Sequence, residues 1–255
     1  SFTEGLKQIG PPLIVKTAEF GYDGKGQLRI SEKLSQNQVE EAWQKFAGRR
    51  VVIEECISLD TELSVLVARD SKGNTVFYDP VENIHLNHIL DISIVPARIP
   101  PEIQKKACKT ALEIAQSMKY VGMLAVEFFV SSDGRLLVNE LAPRPHNSGH
   151  HTIDACHSSQ FDQQARATAD IPLGSPQLIS PVIMMNLLGD LWESPLTPPD
   201  WSEILSLKGT LLHLYGKREA RPGRKMGHIN ILGDSVEDCL KKARSIRTKL
   251  DLPDF

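Results

Sequence analysis

One short stretch of the chain gathers the side chains with which most enzymes do their chemistry. The thirteen residues from Asn139 to His151 include a carboxylate, a guanidinium, three imidazoles, two amides and a hydroxyl. Pro143 and Pro145 within this stretch are incompatible with the interior of a helix or of a central strand. A stiff, polar loop of this composition is typical of a binding or catalytic site rather than of a plain connection.

A carboxylate upstream of this loop is predicted to face one inside it. Asp133-Gly134 favours a two-residue type I′ turn, and in that register Glu127 lies directly opposite Glu140. A three-residue loop would place Glu127 opposite Asn139 instead. Facing residues have Cβ atoms roughly 4.5–5.5 Å apart, so two facing carboxylates need a proton or a cation between them. Because Glu127 is an isolated charge in an apolar run and oxygen ligands suit Mg²⁺, we favour a metal site over two solvent-exposed glutamates.

A second motif is a glycine-rich loop between two predicted strands. Its residues are Gly21, Tyr22, Asp23, Gly24, Lys25, Gly26 and Gln27. Glycines let backbone N–H groups approach an anion, and Lys16 on the preceding strand adds positive charge. The loop is therefore a candidate phosphate cradle, although its spacing is not that of a P-loop and a plain tight turn is the alternative.

A third motif is the strand end formed by Glu54, Glu55, Cys56 and Ile57, followed by Glu62. Exposed backbone groups at such a strand end can bind the edge of a base, but a plain strand end has the same pattern.

A fourth motif is a basic turn within residues 216–228. Five cationic residues occur in nine positions, namely Lys217, Arg218, Arg221, Arg224 and Lys225. Such a cluster in an acidic protein indicates either an anion pocket or a solvated basic turn.

The histidines also raise the possibility of a zinc site. His146 and His150 have the His-x-x-x-His spacing, but Pro145 and Gly149 argue against the helix that this spacing requires. We therefore disfavour zinc at this cluster, which His151 and His157 extend. His213, on an apolar strand, is interpreted as a core residue with a satisfied ring.

The composition excludes several classes of protein. A net charge of −3 over 255 residues argues against a general nucleic-acid binder. No apolar run approaches the roughly 20 residues of a membrane helix, so no membrane association is expected. The four cysteines, none in a CxxC pair, indicate free thiols in a reducing compartment and hence a cytoplasmic protein.

Hydrophobic periodicity predicts an α+β fold with mostly antiparallel strands. The predicted helices span 35–46, 101–119, 161–169 and 235–250. The predicted strands span 12–16, 27–30, 50–54, 62–69, 75–79, 123–130, 135–139, 182–187, 211–214 and 228–232.

The four motifs, in this order, resemble those of the ATP-grasp enzymes, and most closely those of the N5-carboxyaminoimidazole ribonucleotide synthetase family. The most specific matches are Asn139 to His151 and Arg221 to His228. The resemblance implies an ATP-grasp fold in which two α+β subdomains sandwich ATP. It assigns residues 1–187 to the ATP-grasp domain, with a lid at about 1–80 and a metal and catalytic subdomain at 81–187, and 188–255 to a β-rich extension. It also implies that the family's N-terminal α/β domain is absent here.

Carried over motif by motif, the resemblance implies a role for each group of residues. The nucleotide would contact Lys16, the loop from Gly21 to Gln27, Glu54, Glu55, Cys56, Ile57, Glu62, His85 and Asn139. Glu127 and Glu140 would bind Mg²⁺, with Glu140 also facing the nucleotide. Bicarbonate and the transferred phosphoryl group would lie among Arg144, His146, Asn147 and Ser148. Asp23 would face the substrate amine, and Lys217 and Arg224 would bind the substrate phosphate. The family pattern often has Gly where this chain has His88.

The implied reaction is the ATP-dependent carboxylation of 5-aminoimidazole ribonucleotide by bicarbonate through carboxyphosphate. The resemblance also implies a homodimer, and a carboxylase or mutase domain that is either fused to the chain or a separate partner. One alternative is another ATP-grasp ligase, such as a formate-dependent glycinamide ribonucleotide transformylase or a biotin carboxylase. The other is a nucleotide-binding module that is inactive without its N-terminal domain.

Overall fold

The computed structural model describes residues 1–19 and 26–255. These residues fold into two compact units, which divide after Ser58. Most of the glycine loop, Gly21, Tyr22, Asp23, Gly24 and Lys25, lies outside the described residues, so the predictions on it stay predictions. The predicted domain boundaries at about residue 80 and at residue 187 also stay predictions.

The first unit is a three-stranded antiparallel sheet with two helices. Its elements are α1 (Phe2–Ile9), β1 (Leu13–Thr17), β2 (Gln27–Ile30), α2 (Gln36–Lys45) and β3 (Val51–Glu55), with strand order β2-β1-β3. Helix α2 begins as predicted at Ser35, whose hydroxyl accepts the Gln38 N–H in a capping box. Leu13 and Val15 of β1 pack with Phe46, which gives this unit its own core.

The second unit is built on a nine-stranded sheet in which each strand pairing is antiparallel. Its strands are β4 (Leu59–Arg69), β5 (Thr75–Phe77), β6 (Val81–Leu86), β7 (Ile89–Val95), β8 (Gly122–Ser131), β9 (Leu136–Ala142), β10 (Val182–Leu188), β11 (Thr210–Leu214) and β12 (Lys225–Leu232). Their order is β11-β12-β10-β7-β6-β4-β8-β9, and β5 pairs with β4. Its helices are α3 (Pro101–Ser117), α4 (Thr152–Ala155), α5 (Gln160–Thr168), α6 (Ser202–Leu205) and α7 (Val236–Lys249), with short 3₁₀ turns at Asn147–Gly149 and Gly189–Leu191.

Two helices cover the apolar face of this sheet. Alternate residues of β4 and β8, such as Val65 and Val126, pack against Ala111 of α3. Alternate residues of β10 and β12, such as Met185, pack against Ala243 of α7. Because side chains alternate along a strand, the intervening residues lie on the opposite face. That opposite face carries a belt of polar side chains: Glu62, Ser64, Asn83, His85, Ser93, Glu127, Asn186, His228 and Asn230.

The structure confirms the predicted antiparallel α+β architecture and adds a hairpin that the sequence did not reveal. Strands β6 and β7 are joined by Asn87 and His88, and both residues have left-handed backbones, with φ of 51° and 65°. This is the conformation of a two-residue type I′ turn, whose usual sequence is Asn-Gly. Because His88 replaces the glycine, the turn gave no signal in the sequence.

In the described ranges, 1–19 and 26–255, no helix has both the length and the apolar character needed to cross a membrane.

Candidate active site

In the first unit, the predicted phosphate-binding lysine lies beside a carboxylate. The Nζ of Lys16 on β1 is 2.6 Å from Oε2 of Glu54 on β3. Gly26 has a φ of 78°, and a Cβ there would lie 2.7 Å from the Thr17 hydroxyl, so this end of the glycine loop requires glycine. Cys56 directly follows the neighbouring strand β3, and its N–H donates to the carbonyl of Pro12.

In the second unit, two predicted nucleotide contacts meet on adjacent strands. The Nδ1 of His85 on β6 lies 2.9 Å from Oε2 of Glu62 on β4. Burial by itself would lower the pKa of His85, but the Glu62 carboxylate outweighs it and raises that pKa above the usual histidine value. The pair therefore presents an imidazole held by a carboxylate at the polar face of the sheet.

Glu127 and Glu140 are register partners on β8 and β9, as predicted. The turn between them is not the predicted one. Ser131 and Arg135 close a three-residue loop, in which Gly134 has a φ of 82°. An extra residue in β9, Asn139, then shifts the register by one position before Glu140. The longer loop and the bulge compensate, so the carboxylates still face each other.

The donors at this position fit Mg²⁺ by type. Two facing carboxylates with a neighbouring amide supply oxygen ligands, and Mg²⁺ in such sites takes one or two carboxylates and completes its shell with water and phosphate. No group of three or more His, Cys, Asp or Glu side chains placed to hold a metal occurs within 1–19 and 26–255. The carboxylates of Glu127 and Glu140 are ligands of the kind that Mg²⁺ prefers.

His146 lies between the loop and the carboxylate pair. Its Nε2 is 2.9 Å from Oε1 of Glu127, which is largely buried. Burial alone would raise the pKa of Glu127, but the hydrogen bond and charge of His146 outweigh it and lower that pKa below the usual carboxyl value. Glu127 is therefore an anion that the loop helps to hold.

A chain of buried hydrogen bonds fixes the other side of the His146 ring. Nδ1 of His146 lies 2.9 Å from the Ser148 hydroxyl, which accepts from Ser64 at 2.7 Å. Asn83 donates to Ser64 at 3.0 Å and accepts from Ser93 at 2.9 Å. The amide of Asn83 has one donor side and one acceptor side, so it sets the direction of the chain toward His146.

Sequence analysis missed the far members of this chain. Ser64, Asn83 and Ser93 are polar residues on strands, and all three are buried. That placement was the available signal, because buried polar groups need partners. Asn186 on β10 was missed for the same reason. It accepts from Asn147 at 2.9 Å and donates to the carbonyl of Leu90, which fixes the predicted site residue Asn147.

Arg144 occupies a different position from the other loop residues. It is exposed, and its Nη1 donates to the carbonyl of Pro145 at 3.0 Å. The structure thus brings together Glu127, His146 and Ser148, while Arg144 stands at the surface of the loop.

Three histidines, His150, His213 and His228, lie with their rings next to one another. His213 and His228 are stacked with ring centroids 4.6 Å apart, and His150 lies 4.9 Å from His228. Burial lowers the pKa of His150 to about 4 and that of His228 to about 3, so both rings are neutral. The interpretation of His213 as a core residue is corrected in part. Its ring does have a partner, Asp154 at 2.7 Å, but the side chain is 30% exposed because β11 is the edge strand.

The basic turn connects β11 and β12 and is ordered by its own hydrogen bonds. Lys217 Nζ donates to the carbonyl of Lys225, and Arg224 Nη1 donates to the carbonyl of Glu219 at 2.7 Å. Burial, followed by the nearby charges of Arg224 and Lys225, lowers the pKa of Lys217. The charge of Lys225 also contributes to lowering the pKa of Glu127 and opposes the rise in the pKa of His85. The basic turn therefore acts electrostatically on the carboxylate site. The role of Lys225 was missed, although it lies in the basic motif.

Comparison with known protein families gives two matches. Residues 1–161 match the model of the ATP-grasp domain. Residues 182–242 match the model of the phosphoribosylaminoimidazole carboxylase C-terminal domain.

Individual relatives agree with these matches. An N5-carboxyaminoimidazole ribonucleotide synthase of Bacillus subtilis is 44% identical over 94% of this chain and 61% of its own length. The ADP complex of an N5-carboxyaminoimidazole ribonucleotide synthetase is 45% identical with a TM-score of 0.85, covering 96% of this chain and 63% of that one. An Aspergillus clavatus N5-carboxyaminoimidazole synthase in complex with ADP and 5-aminoimidazole ribonucleotide is 31% identical with a TM-score of 0.85, covering 98% and 64%. The chain thus spans about three fifths of the length of these relatives.

Proposed function

The chain belongs to the ATP-grasp family, and on this premise we propose that it carboxylates the amine of 5-aminoimidazole ribonucleotide with bicarbonate and ATP. The products are N5-carboxyaminoimidazole ribonucleotide, ADP and phosphate. The family match confirms the ATP-grasp fold expected from the sequence. The substrates and cofactors belong to the proposal, supported by relatives that bear this name and by a relative bound to ADP and 5-aminoimidazole ribonucleotide.

One observation of the structure carries the proposal. The carboxylate pair Glu127–Glu140 and the two strands that the basic turn of Lys217 and Arg224 connects belong to the same sheet. A ligase that joins bicarbonate to a phosphorylated amine needs a cation site for ATP beside an anion site for the substrate phosphate. This arrangement supports a ribonucleotide as the acceptor.

The reaction has two bond-making steps. An oxygen of bicarbonate attacks the γ-phosphorus of ATP, the bond to ADP breaks, and carboxyphosphate forms. The substrate amine then attacks the carboxyl carbon, phosphate leaves with the former bicarbonate oxygen, and the amine loses a proton. Asp23, predicted from the sequence, is the proposed acceptor of that proton.

The loop residues supply positioning and charge. His146 and Ser148, fixed by Glu127 and Ser64, would hold bicarbonate, and Asn147, fixed by Asn186, would hold the phosphoryl group. The guanidinium of Arg144 would neutralise the transferring group, as in other phosphoryl transfers. Mg²⁺ bound by Glu127 and Glu140 would neutralise the charge on the phosphates of ATP.

The nucleotide contacts are assigned from the sequence motifs. Lys16 and the glycine loop would hold the phosphates, residues 54–57 the adenine and Glu62 the ribose, with His85 as a further nucleotide contact. We further propose a homodimer, and a carboxylase or mutase domain, fused or separate, that takes up the product.

The direct test is an acceptor comparison with the purified chain. We expect bicarbonate-dependent ADP formation that 5-aminoimidazole ribonucleotide stimulates, with N5-carboxyaminoimidazole ribonucleotide as the product. Glycinamide ribonucleotide with formate is the matched alternative acceptor pair. Stimulation by that pair instead would overturn the assignment, and nucleotide binding without any turnover would indicate a binding module.

A further inference from the structure

Helix α5 uses three glutamine side chains to hold the backbone of three other segments. Gln160 binds His146, Gln163 binds Gly174 and Gln164 binds the N–H of Met123 at the start of β8. Gln160 and Gln163 are fully buried, and α5 packs against β4 and β8. The helix therefore contacts both the site loop, through His146, and the strand that carries Glu127.

Gln160 directs its amide oxygen and both of its amide hydrogens at the site loop. Its Oε1 accepts the His146 N–H at 2.8 Å, and its Nε2 donates to the His146 carbonyl at 2.8 Å. The second Nε2 hydrogen is directed at Nδ1 of His150, 2.9 Å away. The Gln160 amide thus makes the hydrogen bonds to the His146 backbone that a neighbouring strand would otherwise make. His146 lies in a segment whose prolines prevent regular strand pairing.

Gln160 packs closely against Gly149 of the site loop. A Cβ at Gly149 would lie 2.5 Å from Oε1 of Gln160 and 2.3 Å from a methyl carbon of Leu66. The backbone N–H of Gln160 donates to the Thr152 hydroxyl at 2.9 Å, and that hydroxyl donates to the Gly149 carbonyl at 2.6 Å. Both the side chain and the backbone of Gln160 are therefore tied to the loop.

We propose that Gln160 is a positioning residue, whose amide holds the backbone of His146 and the ring of His150 so that the His146 imidazole stays against Glu127. The proposal rests on the proposed function for its effect on turnover, because that function assigns His146 to the bicarbonate site. It does not require Gln160 to touch a substrate.

The chain offers a matched control on the same helix. Gln163 is equally buried, and its amide makes the same two contacts with a distant backbone, donating to the Gly174 carbonyl at 2.7 Å and accepting the Gly174 N–H at 2.9 Å. Residue 174 is not among the predicted site residues. Gln160→Met and Gln163→Met therefore each remove a pair of hydrogen bonds to a distant backbone and differ in the segment that is released, and Gln160→Met also removes the contact with His150.

The experiment compares these two variants by amide hydrogen exchange and by steady-state kinetics. Gln160→Met should speed exchange at the His146 amide by about tenfold, as loss of one hydrogen bond implies, and leave the Gly174 amide unchanged. Gln163→Met should do the reverse. In turnover, Gln160→Met should lower kcat by on the order of 10- to 100-fold with the KM for ATP unchanged. Gln163→Met should leave kcat unchanged at a similar loss of stability.

The outcomes separate this proposal from the proposed function. Equal losses of kcat in both variants, or unchanged exchange at His146 in Gln160→Met, would overturn the positioning role. If the wild-type chain has no bicarbonate-dependent turnover, the proposed function fails while the exchange comparison still decides the role of Gln160. Should Gln160→Met not fold, Gln160→Glu replaces the donor of two hydrogen bonds by an acceptor and is expected to lower kcat in the same way.

Discussion

Glu127 and Glu140 face each other across two antiparallel strands, and the bulge at Asn139 is what brings them into register. The hydrogen bond from His146 keeps Glu127 ionised in a largely buried position. Carboxylates at facing positions repel each other, and a shared cation relieves that repulsion. This relationship supports the proposal that the pair holds the Mg²⁺ of the nucleotide.

Glu140→Gln should therefore disable catalysis and leave the fold intact. Removing one of two metal carboxylates is expected to lower turnover by about 100-fold or more and to raise the Mg²⁺ concentration needed for half-maximal activity. The measurement is bicarbonate-dependent ADP formation across a Mg²⁺ titration, with Glu113→Gln as a control that removes an exposed carboxylate from α3. Near-normal turnover in Glu140→Gln would refute the metal assignment.

Arg224→Ala should act on substrate binding rather than on chemistry. The guanidinium stands beside Lys217 in a turn with an excess of positive charge, as expected for a phosphate site. We expect the KM for 5-aminoimidazole ribonucleotide to rise by roughly 10- to 100-fold with little change in kcat. Arg218→Ala, an exposed cation of the same turn, is the control. Equal and small effects in both variants would indicate a solvated basic turn.

His88→Gly should stabilise the protein. His88 adopts a left-handed backbone at the β6–β7 turn, which costs a non-glycine residue roughly 1–2 kcal/mol, partly offset by the greater freedom of glycine in the unfolded chain. A net gain of about 0.5–1 kcal/mol in the free energy of unfolding is expected. Asn87→Gly is the comparison, and it should gain less because asparagine tolerates this conformation. A loss of stability in His88→Gly would show that the ring makes a favourable contact that outweighs the backbone cost.

Stability should fall in mild acid because three histidines are buried in neutral form. Burial lowers the pKa of His150 and of His151 to about 4 and that of His228 to about 3. The unfolded chain, with pKa values near 6.5, then binds more protons than the folded one. The stability these groups contribute is fully present above pH 6.5. It is lost as the pH falls from 6.5 toward 4, by about 1.4 kcal/mol per pH unit for each histidine.

Urea unfolding between pH 4.5 and 8 tests this dependence. His151→Gln should flatten the acid slope, whereas substitution of His157, which is exposed, should leave it unchanged. An identical slope in wild type and His151→Gln would contradict the assignment. His85 gives the opposite pH dependence, because its pKa is raised in the folded state. Its pair with Glu62 stabilises the fold below pH 6.5, and this stabilisation is lost as the pH rises through the folded-state pKa of His85.

Local signals in the sequence were sufficient for most elements, but not for the central hairpin. Capping at Ser35 and the periodicity of α3 defined those helices, and apolar runs indicated β4 and β8. The β6–β7 hairpin was missed because its turn uses His88 in a conformation that normally requires glycine. Strain of this kind is set by the whole sheet and leaves no trace in local propensity.

The site was predictable where residues cluster in the sequence, and not where the fold assembles them. The pairing of Glu127 with Glu140 was predicted correctly, although from a turn one residue too short, because the bulge at Asn139 restored the register. Asn186 and Gln160 lie far along the chain from the loop segments that they hold. Their roles depend on which strands and helices become neighbours, and only Asn186, a single polar residue in an apolar strand, gave a hint in the sequence.

The most direct measurement follows the oxygen of bicarbonate. In the proposed reaction the attacking oxygen stays on phosphorus, so phosphate released in brief incubations with ¹⁸O-labelled bicarbonate, before exchange with water, should carry one labelled oxygen for each turnover that 5-aminoimidazole ribonucleotide stimulates. Unlabelled phosphate formed at the same rate would mean that water attacks ATP, and it would contradict a reaction through carboxyphosphate.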